Sequence, residues 1–207
     1  MSAIRSMNLP NLLTISRIFM SAILLGLLSL PETIPFAKSL ALIIFIIAGI
    51  TDYLDGYLAR TTYGVTAFGK LMDPLADKVM VCAAFVSFVE LGLVPAYIVV
   101  IIISREFLVT GLRLLAVEKG IVISAGKWGK HKTVWQIIAI IVILLGLAIR
   151  HDVLRGGDAT MLANYDLAFG YIAYAVSIAV ALITVASGYL YFVQNGQILS
   201  RHNRAKA

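Results

Sequence analysis

Apolar residues run along this chain in six long stretches, about 9–30, 37–59, 70–93, 95–117, 133–149 and 166–193, with polar residues gathered between them. Most of these stretches reach the roughly 20 residues that an α-helix needs to cross the apolar core of a bilayer. The pattern predicts an all-α integral membrane protein with six transmembrane helices, forming one domain over residues 1–207. Composition supports the same class. The chain is 60% hydrophobic and only 14% charged, with a mean hydropathy of +0.94, more apolar surface than a soluble domain of 207 residues needs. No internal repeat, low-complexity tract or linker marks a second domain. Arg5 ahead of an apolar run would also suit a cleaved signal peptide, but Pro10-Asn11 and the lack of a small-residue cleavage site argue against one. Asn11, Thr14 and Arg17 in the first stretch are then expected to line a site or an interface.

The basic residues give the chain a direction. Of the 17 lysines and arginines, only Lys38, Arg150 and Arg155 fall toward one side of an alternating six-span arrangement. The positive-inside rule therefore predicts cytoplasmic termini and a polar cavity at the cytoplasmic face of the cell membrane. The net charge of +6 reads as topology and attraction to anionic lipid, since no basic arm or domain is present to hold nucleic acid. Cys82 has no cysteine partner in the chain and reads as a small buried hydrophobe. His131, His151 and His202 are not at metal-ligand spacing. The segment 150–165 reads as a polar turn.

Into this apolar background the chain sets Asp52, Asp55, Asp73 and Asp77, with Gly56, Ala59, Arg60 and Gly69 among them. Charges at membrane depth are costly and face a cavity or an ion. On a helix, residues three or four apart share a face within roughly 60° and 40°. Asp52 with Asp55, and Asp73 with Asp77, thus form two carboxylate pairs, and a helical hairpin would aim all four at one point. Their mutual repulsion calls for a cation, and oxygen-only ligands select a hard one, Mg²⁺ or Mn²⁺ first with Ca²⁺ also compatible. Gly56, Ala59 and Gly69 each lie one turn from an aspartate and keep bulk away from that face. A buried ion-pair network with close helix packing would draw on similar residues, but it gives no reason for this spacing. Pro74 either starts the third helix, with Asp73 as its cap, or kinks it.

These residues follow D-x2-D-G-x2-A-R-x8-G-x3-D-x3-D at every position, and the chain resembles the CDP-alcohol phosphatidyltransferase family. The resemblance implies a membrane-embedded, homodimeric enzyme that moves a phosphoalcohol group from a CDP-linked donor to an alcohol and releases CMP. It further implies two divalent ions on Asp52, Asp55, Asp73 and Asp77, with Asp77 also placed to accept the attacking hydroxyl's proton. Gly56, Ala59, Arg60, Gly69, Asn11 and Thr14 would then surround the nucleotide end of the donor.

A second constellation is basic. Counted from Pro95, Arg105 lies roughly 15 Å along its helix, near mid-membrane, and is expected to face a cavity or to pair, with Glu106 as one partner. Arg113 follows about two turns later. Gly126-Lys127-Trp128-Gly129-Lys130-His131-Lys132-Thr133 lacks the Gly-Lys-Ser/Thr triplet of a P-loop. Planar guanidinium groups suit phosphate oxygens, so Arg105, Arg113, Lys130 and Lys132 are predicted to hold the phosphate of an acceptor. Snorkelling toward lipid headgroups is the plainer use of such residues, and it weighs equally for Lys119 and Lys127. Arg105-Glu106, Arg113, Gly129-Lys130, Lys132-Thr133 and Gln136, with the opening Asn8-Leu-Pro-Asn11, resemble the family's phosphatidylglycerophosphate synthase branch. That resemblance implies CDP-diacylglycerol, drawn from membrane lipid, as donor and sn-glycerol 3-phosphate as acceptor. Sibling transferases using inositol phosphate or phosphatidylglycerol remain the near alternatives. A divalent-ion transporter is the distant one, and it would need a charged path to both faces.

The carboxylate cluster predicts strict dependence on divalent metal. Asp52→Asn and Asp73→Asn should each abolish turnover while the protein still inserts in membranes and stays monodisperse in detergent. Full activity in excess chelator, or in either variant, would refute the two-metal reading.

Overall fold

A computed structural model of the chain describes residues 9–58, 67–118 and 127–195. Within them, the side chains of 9–11, 13, 55–58, 67–74, 77, 117–118, 127–131 and 195 lie outside the description. The described residues form six long helices and no strand: α1 Leu9–Ser29, α2 Ala37–Leu58, α3 Ala67–Glu90, α4 Ala96–Glu118, α5 Lys127–Ala148 and α6 Ala159–Asn195. By length and composition α2, α6, and α5 with the π-helical turn that follows it can each cross a membrane. In α1 the apolar stretch is Thr14–Ser29, and α3 and α4 carry charged residues in their spans.

Three boundaries differ from the hydrophobic pattern. Helix α3 starts at Ala67, so Pro74 lies inside it and Asp73 is not its cap. The leading Ala67-Phe-Gly-Lys-Leu-Met holds no proline and no β-branched residue, and nothing in it stops a helix. Helix α5 starts at Lys127, which makes Lys130 and Lys132 helical residues. The expected polar turn over 150–165 is mostly helical too. A π-helical turn, Ile149–Val153, extends α5, and α6 begins at Ala159. Hydropathy located the apolar parts of these helices, while backbone hydrogen bonding carries them on into polar sequence.

Helix α1 packs against α2 and α3, α2 also against α5, and α6 against α4 and α5. The core they share includes Leu24, Phe45, Phe85, Ile102, Ile140 and Val180, each buried. Many large apolar side chains point outward, among them Phe19, Ile43, Phe107, Leu167 and Leu182. That surface would be costly in water and suits a hydrocarbon surround.

Lys38, Arg150 and Arg155 meet at one end of the bundle, as the basic pattern predicts. Lys38 is buried and donates to the carbonyls of Leu28 (2.6 Å) and Leu30 (3.1 Å) at the end of α1, where a cation opposes the helix dipole. Asp152 accepts from the backbone N–H groups of Phe36 (2.7 Å) and Ser39 (2.9 Å), stabilising the start of α2. The first of these bonds holds Phe36 at φ 59°, a conformation uncommon outside glycine. Arg155 donates to the carbonyl of Thr33, and Arg150 grips Asp166 with an Nη2···Oδ2 contact of 2.9 Å.

Helices α5 and α6 approach so closely at Gly146 that a Cβ there would collide with the ring of Phe169. The Tyr165 hydroxyl donates to the Gly146 carbonyl (2.8 Å), and its ring stacks on Phe169. Gly146→Ala is therefore expected to destabilise by about 1–3 kcal/mol through overpacking, read as a lower melting temperature in detergent. Gly26→Ala, with nothing within 4 Å of the new methyl, should leave the melting temperature nearly unchanged.

Candidate active site

The acidic site begins on α1. Thr14, Arg17 and Ser21 recur at helical spacing along it, and all three are buried. The Ser21 hydroxyl donates to the Arg17 carbonyl (2.8 Å), leaving the Arg17 guanidinium to reach out to α2, where it pairs with the Asp52 carboxylate. The pair is asymmetric: the Arg17 side chain is 2% exposed and that of Asp52 is 50% exposed. Asp52 is thus anchored from behind and open in front.

Asp52 and Arg17 sit in the wall of a cavity of about 370 Å³ between α1, α2, α3 and α5. Its other walls are apolar, including Phe45, Ile46, Met80, Val81, Ile137 and Ile141. Asp55 and Gly56 follow Asp52 on α2, and Gly69, Asp73 and Asp77 lie on α3, so each carboxylate pair occupies one helix. The side chains of Asp55, Asp73 and Asp77 lie outside the description, as do residues Ala59 and Arg60 entirely and the side chain of Asn11. Among the described residues no three acidic, histidine or cysteine side chains form a metal-binding group. The donor chemistry nevertheless fits a hard divalent cation. Asp52 offers an open carboxylate at the cavity wall, and the motif supplies oxygen donors alone.

A basic wall is organised around α4. Arg105 donates to the Ser187 hydroxyl of α6 (2.7 Å) and lies 3.6 Å from the Glu106 carboxylate. Glu106 forms an ion pair with Lys132 of α5, whose side chain is 3% exposed. Thr110 donates to the Glu106 carbonyl (2.7 Å) and accepts from Lys78 of α3. Further along, Arg113 donates from Nε to the Tyr191 hydroxyl (3.2 Å) with its guanidinium 5.5 Å from the ring centre. Gly188 makes room for this wall, since a Cβ there would lie 3.0 Å from Cγ of Arg105. Lys130 is on α5 with its side chain outside the description. Lys78, Glu106, Lys132, Thr133 and Gln136 line a small cavity of about 30 Å³, and Val81 borders both this cavity and the acidic one.

A sequence profile of the CDP-alcohol phosphatidyltransferases matches residues 7–186, a span that includes Asp52, Arg105, Glu106, Arg113 and Lys132 and ends just before Ser187. The chain belongs to the CDP-alcohol phosphatidyltransferase family. Several relatives carry the name CDP-diacylglycerol–glycerol-3-phosphate 3-phosphatidyltransferase. That of Bacillus subtilis (strain 168) is 41% identical over 207 residues, covering 95% of this chain and 99% of its own. That of Rickettsia bellii is 35% identical over 185 residues, covering 89% and 93%. That of Mycoplasma pneumoniae is 43% identical over 149 residues, covering 64% and 66%.

Sequence reasoning expected Arg17 to line a site or an interface without finding its partner, and set Arg60, which lies outside the described residues, at the nucleotide end of the donor. It anticipated Arg105 beside Glu106 but not the pairing of Glu106 with Lys132. It had no signal for Ser187, Gly188 and Tyr191, which read as ordinary residues of an apolar helix.

If Arg17 and a bound cation both neutralise Asp52, losing one should increase reliance on the other. Arg17→Ala is expected to cost about 1–2 kcal/mol, less than the ~3–5 of a fully buried pair because Asp52 keeps access to solvent. Millimolar Mn²⁺ should then raise the variant's melting temperature more than the wild type's. Equal shifts would mean that Arg17 and the cation do not share Asp52.

Proposed function

We propose that this chain transfers the phosphatidyl group of CDP-diacylglycerol to sn-glycerol 3-phosphate, giving phosphatidylglycerol phosphate and CMP. The observation that carries the reading is that α2 and α3 bear the four motif aspartates while Arg105, Arg113 and Lys132 stand on α4 and α5. A carboxylate-bearing face on α2 and α3 suits a metal-bound pyrophosphate, and a wall of Arg105, Arg113 and Lys132 on α4 and α5 suits an acceptor that bears its own phosphate. An uncharged or cationic alcohol would gain nothing from those arginines. The name shared by relatives that align with most of the chain points to the same acceptor.

Asp52, Asp55, Asp73 and Asp77 would hold two divalent cations, Mg²⁺ or Mn²⁺. When bound, these ions supply charge neutralisation on the pyrophosphate and on departing CMP. The remaining work falls to the chain. Gly56, Ala59 and Gly69 leave room for cytidine and ribose, while Asn11, Thr14 and Arg60 contact the donor's nucleotide end. Arg105, Arg113, Lys130 and Lys132 bind the acceptor phosphate and set its free hydroxyl in line with the donor's phosphatidyl phosphorus. The hydroxyl oxygen forms the new P–O bond as the bond to CMP breaks, and Asp77 takes the hydroxyl proton. The protein is a single domain of six membrane spans, homodimeric in the cell membrane, with both termini and the site on the cytoplasmic side.

Purified protein with CDP-diacylglycerol, Mg²⁺ and labelled glycerol 3-phosphate should yield labelled lipid and CMP in equal amounts. Inositol phosphate or phosphatidylglycerol serving as a better acceptor would overturn the assignment. Arg113→Ala should raise the KM for glycerol 3-phosphate by about ten- to a hundredfold, the roughly 1.5–3 kcal/mol of one charge-assisted contact. The KM for CDP-diacylglycerol should barely move. Lysine at this position should restore only part of the loss, since a point charge lacks the two-pronged fit.

A further inference from the structure

A carboxylate stands inside the wall assigned to phosphate. Glu106 subtracts a negative charge from a surface whose proposed task is to attract one, and its side chain is 14% exposed. Its contacts explain what it does there. Its carboxylate pairs with the ammonium of Lys132 on α5 and lies 3.6 Å from the guanidinium of Arg105. Arg105 in turn reaches Ser187 on α6, and Thr110, bonded to the Glu106 carbonyl, accepts from Lys78 on α3. A single stretch of α4 therefore sets the positions of three cations from three helices.

Lysine makes this fixing necessary. Its ammonium is a point charge on a flexible four-carbon stem, and in an apolar surround such a stem extends toward the nearest water. Lys132 is buried, so something must hold it there, and the carboxylate of Glu106 is placed to do so. The adjoining cavity of about 30 Å³, which Lys132 also lines, has room for a water molecule. Gln136 lines it with a buried amide nitrogen that has no hydrogen-bond partner among the described residues, as a water site would require. A carboxylate repels a phosphate at close range, so Glu106 acts through the cations it holds.

We propose that Glu106 is a positioning residue for the acceptor, holding the Lys132 ammonium and the Arg105 guanidinium where the acceptor's phosphate needs them. This rests on the reading of Arg105 and Lys132 as phosphate-binding groups.

Steady-state kinetics with each substrate varied in turn tests the proposal. Glu106→Gln keeps the shape and removes the charge. It should raise the KM for glycerol 3-phosphate roughly tenfold, the equivalent of one misplaced charge-assisted contact, with the donor KM unchanged within about twofold. Glu106→Asp keeps the charge but shortens the reach, and it should give a smaller rise confined to the acceptor. This second variant keeps the test decisive if the glutamine variant does not fold. Combining Glu106→Gln with Lys132→Gln should raise the acceptor KM by less than the product of the two single effects, because Glu106 works partly through Lys132. An unchanged acceptor KM in a folded variant, an equal rise for both substrates, or fully multiplicative effects in the double variant would overturn the proposal. A wild-type enzyme that makes no lipid from glycerol 3-phosphate would overturn the acceptor assignment, and this inference with it.

Discussion

An ionised side chain among apolar helices must find an opposite charge, a set of hydrogen bonds or water, because leaving it bare costs several kcal/mol. That constraint accounts for much of how this bundle is held. Arg17 ties α1 to α2 through Asp52, Glu106 ties α4 to α5 through Lys132, and Arg105 reaches α6 through Ser187. Lys78 joins α3 to α4 through Thr110. Apolar packing supplies the bulk of the contact, but leucine and isoleucine faces accept many registers. Each polar link accepts very few.

The two clusters of polar groups are closed to different degrees. Where Lys38, Asp152 and Arg155 meet, the partners are mostly backbone groups at helix termini, and the charges are used up in joining the α1–α2 turn to the turn after α5. The site differs in kind. Asp52 remains half exposed although its arginine is buried, and among the described residues Arg113 leans on the ring and hydroxyl of Tyr191. Charge left partly uncompensated beside a cavity is the capacity to bind something charged, and Asp52 in the wall of the larger cavity has it.

How the two walls differ follows from their chemistry. On the proposed reading, carboxylates spaced at helical intervals need no long side chain, only small neighbours, because a cation would come to them. The cations of the basic wall sit on long stems that must be held in place, and the structure holds them with hydroxyls, an aromatic ring and one carboxylate. The acidic wall is therefore built from adjacent turns of two helices. The basic wall draws on α3, α4, α5 and α6 together.

This contrast also separates what the sequence alone determined from what the tertiary structure decided. The six helices, the gathering of Lys38, Arg150 and Arg155 and the placing of each pair of aspartates on one helix were legible. Each depends on composition or on the 3.6-residue period, which are local properties of the chain. Helix ends were less legible. Ala67, Lys127 and Ala159 begin helices inside polar sequence, because backbone hydrogen bonding continues after hydropathy falls. Partners were hardly legible at all. That Asp52 takes Arg17, Glu106 takes Lys132, and Ser187 and Tyr191 receive the arginines of α4 depends on which helix faces meet and at what depth. Those facts join residues 26 to 82 positions apart, and helix packing fixes them where no local period can.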